Sequence, residues 1–144
     1  MRKREYVSFR IHEILDPCIQ TSQHRIVKIY HTLWAILLFT SVALQYNDPD
    51  PEVWMPIYGI PGLLSILEIF YWPESSFRLR SWLWAVCALG SVLYGAIHFE
   101  GFPPEWYNDE ITREALGLFL ITFHSVVSYL IVRWIADRRS NAGT

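Results

Sequence analysis

The sequence predicts an all-α membrane protein, an antiparallel four-transmembrane-helix bundle, N-in/C-in. Four apolar runs, about residues 26–45, 53–72, 81–99 and 114–135, each provide the ~20 residues with which a helix crosses a ~30 Å hydrocarbon core. The charges sort across these runs. Of 12 basic residues, 11 lie on one side: Arg2, Lys3, Arg4, Arg10, Arg25 and Lys28 before or at the first run, Arg78 and Arg80 between the second and third, and Arg133, Arg138 and Arg139 at the end of the fourth. Only Arg113 lies opposite, whereas 8 of the 14 acids lie on that side, seven in the loops 46–52 and 100–113 and Glu114 at the start of the fourth run. By the positive-inside rule both termini and the middle loop are cytoplasmic. The net charge of −2 carries none of this information; its distribution does.

Residues 1–25 read as a cytoplasmic arm, with residues 6–15 amphipathic along the membrane surface and a break at Asp16-Pro17. A first apolar run of full length argues against a cleaved signal peptide. Glu5, Glu13 and Asp16 argue against a mitochondrial presequence. The basic cluster at residues 1–4 serves as an orientation signal or touches anionic headgroups, and nothing in the chain supports nucleic-acid binding. In the first span His31, Ala35, Leu38, Val42 and Gln45 form one stripe. In the second, Pro61 between Gly59 and Gly62 predicts a kink, and Glu68 is expected to snorkel or to pair with Lys28, Arg78 or Arg80. In the third, Cys87, Ser91 and Gly95 recur every four residues, a small-residue face for close helix contact within the bundle, with itself in a second copy, or with another membrane protein. The fourth brings Glu114, Gly117, Ile121, His124, Ser125 and Ser128 onto one face, and residues 136–144 form a polar tail. Tyr46, Trp54, Tyr58, Trp72, Trp82, Trp84, Trp106, Tyr107 and Trp134 fall where an aromatic belt is expected. Cys18 and Cys87 lie on opposite sides of a membrane boundary, so no disulfide joins them.

Three places carry candidate chemistry. Gln45-Tyr46-Asn47-Asp48-Pro49-Asp50-Pro51-Glu52 is a stiff turn in which each proline holds the preceding aspartate extended. Its carboxylates suit a hard cation, but Asp50 also suits a helix N-cap and Pro51 the first helical position. With His98 and Glu114 at the same membrane face, Asp48 and Asp50 are the candidate metal ligands. The competing reading has Arg113 paired with a nearby acid and Thr112 or Asp109 capping the fourth helix. His124 lies ~15 Å into the fourth span, where an ionisable residue points to function. It is the candidate cofactor ligand or proton relay; alternatively it is a neutral imidazole bonded to Tyr94, Ser91 or Ser128. His31 lies towards the inner face and His98 towards the outer, so neither matches its depth.

The Asn47-Asp48-Pro49-Asp50 turn, followed by Trp54, Tyr58 and then Arg113-Glu114 with Gly117, resembles the transmembrane protein 220 family over about residues 26–135. That resemblance implies a small four-helix membrane protein and carries over no catalytic residues. No nucleophile elbow, P-loop, zincin or zinc motif is present. The expectation is an accessory, binding or assembly role within the bilayer, with an acidic outer rim. A metal- or haem-binding redox protein is the alternative, and an oligomeric cation pathway the second.

Overall fold

The structure, a computed structural model, describes residues 24–70 and 76–142, without the side chains at 139, 141 and 142. The expected amphipathic arm, Cys18 and Trp72 lie outside the described residues. Among the described residues, all regular structure is helical. We number the helices α1 (His24–Asn47, its last turn tightening to a 3-10 helix at Gln45–Asn47), α2 (Pro51–Phe70), α3 (Phe77–His98) and α4 (Glu110–Ala142). Each contains a stretch long and apolar enough to cross a membrane, in α4 the part Glu110–Arg138.

The helices start before the apolar runs because polar caps precede them. Asp48 is extended (φ −71°, ψ 158°) and its N–H donates to the Gln45 carbonyl at 3.2 Å, closing α1. Two residues later the Asp50 carbonyl accepts from Val53 and Trp54 N–H at 3.1 and 3.3 Å, with Pro51 first in α2 and Glu52 in its first turn. Asp109 caps α4: its Oδ2 accepts from the Thr112 N–H at 2.9 Å and the Thr112 hydroxyl at 2.5 Å. These two bonds, helped by Arg113, hold the Asp109 carboxyl below the usual carboxylate range. The competing reading of this segment therefore holds for its cap.

α2 runs unbroken through Pro56 and Pro61, and the Pro61 carbonyl accepts the Ser65 hydroxyl at 2.9 Å. Lipid tails are as apolar as leucine, so helix association here depends on close packing and interhelical hydrogen bonds. Small residues provide the first. A Cβ on Gly95 of α3 would lie 3.1 Å from the Leu118 Cβ of α4, and one on Gly62 of α2 would lie 3.2 Å from the Phe39 ring of α1. Among α2, α3 and α4, the α3–α4 pair is the most extensive. Two apolar clusters fill the bundle, one of Leu38, Trp54, Tyr58, Leu118 and Ile121, the other of Leu64, Trp84 and Val132. Leu33, Ile36, Leu63, Leu89, Leu93, Leu120 and Phe123 face outward.

Two expectations are corrected. Ser91 and Gly95 are buried against α4 of the same chain, with the Ser91 and Thr122 hydroxyls 2.8 Å apart, so most of this face packs inside the bundle, while Cys87 and the edge of Ser91 line an opening. Trp54, Tyr58 and Trp84 turn inward and belong to the core, while Tyr46, Trp82, Trp106, Tyr107 and Trp134 remain exposed as a belt requires.

Gly117 is the tightest position. A Cβ there would collide with the Tyr58 hydroxyl. Gly117→Ala is expected to lower stability by about 1–3 kcal/mol, the usual cost of overpacking. The same change should cost less in a Tyr58→Phe background, measured by thermal unfolding in mild detergent.

Candidate functional site

The densest polar arrangement lies inside the bundle, around His124. Its imidazole is fully buried and stacks on Trp34 of α1, with ring centroids 4.5 Å apart and planes 18° from parallel. The Trp84 ring of α3 meets it edge-on at 5.0 Å. Both ring nitrogens have partners: Ser65 Oγ of α2 lies 2.8 Å from Nε2 and the Tyr30 hydroxyl of α1 lies 2.9 Å from Nδ1. The hydroxyl proton of Ser65 goes to the Pro61 carbonyl, so Ser65 Oγ accepts from Nε2–H. The Tyr30 hydroxyl lies 3.3 Å from the His124 carbonyl, which also accepts from Ser128 at 2.8 Å; with Nε2 carrying the ring proton, Nδ1 is left as the acceptor for Tyr30. The network assigns a neutral imidazole protonated at Nε2. His124 thereby ties α4 to α1, α2 and α3 at once.

This arrangement corrects two expectations. The partners of His124 are Tyr30 and Ser65 in place of Tyr94, Ser91 and Ser128; Ser91 goes to Thr122, and Ser128 to the carbonyl of His124 rather than its ring. His31 does reach the depth of His124, with ring centroids 5.7 Å apart. Depth counted along each helix misses this, because the offset between α1 and α4 is set by the seating of Trp34 on His124. His31 is also fully buried, stacked on Trp84 at 5.9 Å, and neither of its nitrogens has a hydrogen-bond partner; nor does the buried Ser125 hydroxyl. An orphaned buried polar group costs about 1–3 kcal/mol. As a candidate ligand, His124 has both nitrogens engaged, while His31 has two free.

Nearer one end, the Glu68 carboxylate of α2 pairs with the Arg80 guanidinium of α3 through both oxygens, and its Oε1 also accepts the Trp84 indole N–H at 3.0 Å. The carboxylate is 2% exposed, so its charge is compensated by the guanidinium rather than by water. Of the three bases expected to pair with Glu68, Arg80 is the one that does.

At the other end the acids stand around Tyr58. Its hydroxyl reaches the Gln45 side chain and lies within electrostatic range of Glu114 and Asp48; Glu114 in turn feels Asp48 and Asp50. His98 instead meets the Tyr94 ring, centroids 4.2 Å apart. Among the described residues no group of three or more His, Cys, Asp and Glu comes together as a metal site, so Asp48, Asp50, His98 and Glu114 are neighbours at one end without a ligand cage. Tyr30, Trp34, Ser65 and Trp84 are the residues that sequence reading missed as partners of the histidines. Ser65, one turn beyond Pro61, was the one with a visible signal.

Ser65→Ala and Tyr30→Phe should each cost about 1–3 kcal/mol by leaving a His124 nitrogen unpaired. Glu68→Leu should cost about 3–5 kcal/mol, and part of that loss should return in Glu68→Leu/Arg80→Leu, where no buried charge is left alone. Thermal and denaturant unfolding in detergent measures all four.

Of the residues that carried the family resemblance, Trp54, Tyr58 and Gly117 pack together, Trp54 and Tyr58 in one core cluster and Gly117 against the Tyr58 hydroxyl. The model of the family described as "Transmembrane family 220, helix" matches residues 37–130. Transmembrane protein 220 of Xenopus laevis is 34% identical over 88 residues, which cover 55% of this chain and 45% of that relative. The chain thus matches less than half the length of this curated relative. No solved structure matches it. With the family's model spanning well over half of the sequence, the chain belongs to transmembrane family 220.

Proposed function

We propose that this multi-pass membrane protein is an accessory or assembly protein of the bilayer, whose seat for another membrane component is the groove between α2 and α3. The observation that carries this reading is the groove itself. α2 and α3 touch through Glu68 with Arg80 and Trp84, and again through Trp54 with Tyr94, whose centroids are 6.0 Å apart. Between these contacts they part, leaving a cavity of about 360 Å³ walled by Pro56, Ile57, Ile60 and Pro61 on one side and Val86, Cys87 and Gly90 on the other. A Cβ on Gly90 would meet nothing within 4 Å, so a side chain from another helix has room to enter.

The antiparallel N-in/C-in arrangement belongs to the same reading. It is supported by the meeting of Gln45, Tyr58 and Gly117 at one end and by the basic residues at the other ends of these helices. Residues 26–135 are then the transmembrane unit, with a cytoplasmic arm before it and a cytoplasmic tail that continues α4. A cation pathway through a single bundle is disfavoured, because Leu38, Trp54, Tyr58, Leu118 and Ile121 fill its interior.

A photoreactive residue at Gly90 should give a discrete protein adduct in native membranes, either a second copy or one partner, while the same residue at outward-facing Leu120 should not. Lipid adducts alone at Gly90, or the same pattern at both positions, would refute the assignment.

A further inference from the structure

The opening of α1 carries a feature independent of that groove. His24, Arg25 and Lys28 are all exposed there. At 3.6 residues per turn Arg25, Lys28, Ile29 and Thr32 fall on one stripe about 100° wide, with Leu33 at its margin. Together with His24 they line a concavity of about 470 Å³. The centre of the stripe lies about 100° around the helix from that of His31, Ala35 and Leu38, the buried face.

Three other cations are engaged within the chain: Arg80 pairs with Glu68, the Arg138 guanidinium lies 4.1 Å from the Trp134 ring centroid, and that of Arg78 lies 5.8 Å from the Phe77 ring centroid. Arg113 and Arg133, like Arg25 and Lys28, have no ion pair among the described residues. One turn further along the helix, exposed Ile29 and Leu33 continue the same surface into the apolar span. Thr32 donates its hydroxyl to the Lys28 carbonyl at 2.8 Å, so no side-chain donor interrupts that apolar strip. The surface therefore has two levels, unpaired cations at the edge of the span and a hydrocarbon track leading inward from them.

We infer that this surface seats one anionic phospholipid, its phosphate held by Arg25 and Lys28 and an acyl chain lying along Ile29 and Leu33. A free phosphate would use the cations but leave the apolar track unused, which is why the lipid is the occupant. Each basic residue near an anionic surface contributes ~1 kcal/mol, so losing both should weaken retention about thirtyfold.

The test is native mass spectrometry of the full chain released from detergent micelles containing either phosphatidylglycerol or phosphatidylcholine. Wild type should retain one phosphatidylglycerol and no comparable phosphatidylcholine. Arg25→Gln/Lys28→Gln should lose it, whereas Arg25→Lys/Lys28→Arg and the distant Arg133→Gln should keep it, with circular dichroism reporting unchanged helix content in all. Ile29→Ser/Leu33→Ser should weaken lipid retention without removing the cations. Equal retention by Arg25→Gln/Lys28→Gln, equal retention of phosphatidylcholine, or complete displacement of the lipid by an equal concentration of glycerol 3-phosphate would overturn the proposal.

Discussion

A polar side chain inside a bilayer must find its partner within the protein, and this bundle is organised by the way His124 does so. Four helices converge on one imidazole: α4 supplies it, α1 covers it with Trp34 and binds it through Tyr30, α2 binds it through Ser65, and α3 closes on it with Trp84. Van der Waals packing alone is weakly directional and leaves helices in lipid free to rotate and slide. A ring with two engaged nitrogens and two aromatic contacts fixes both rotation and register. The close approaches at Gly62, Gly95 and Gly117 are usable only once that register is set.

The remaining polar groups follow the same constraint at different depths. Glu68 and Arg80 compensate each other and hold Trp84 through its indole N–H, which in turn orients the ring that meets both histidines. The Ser91 and Thr122 hydroxyls lie 2.8 Å apart, one donating to the other while the acceptor of the pair donates to the carbonyl one turn back. His31 departs from the rule, with both nitrogens unpartnered beside a fully satisfied neighbour. Ionisable side chains at such a depth are costly and mark function by default. Of the two histidines, His31 is the one whose nitrogens have no hydrogen-bond partner among the described residues.

Much of the architecture was legible in the sequence, because hydropathy and helical period report directly on burial. The stripe His31, Ala35, Leu38 and the face Ile121, His124, Ser125, Ser128 are buried as their spacing predicts. The Asp50 and Asp109 ends follow from local rules of helix capping. The pairing across helices was not legible. Tyr30 and Ser65 were not picked as partners because a hydrogen bond between spans depends on the sliding offset of two rods, which no single-helix periodicity encodes. The same reason hid the proximity of His31 to His124 and sent Trp84, flanked by belt-like Trp82, to the membrane surface in expectation when it packs in the core. Glu114 lies within electrostatic range of Asp48 and Asp50, yet grouping by topology says nothing of whether their oxygens converge.

The hub reading of His124 is tested through its tautomer, since donation from Ser65 to the Pro61 carbonyl leaves Nε2 to donate and Nδ1 to accept from Tyr30. Solid-state NMR of ¹⁵N-histidine-labelled protein in lipid bilayers at neutral pH reads it directly, with His124 assigned by comparison with His124→Gln. A neutral ring protonated at Nε2, with Nδ1 shifted by an accepted hydrogen bond that disappears in Tyr30→Phe, is the predicted result. An imidazolium, or a ring protonated at Nδ1 and indifferent to Tyr30→Phe, would contradict the account.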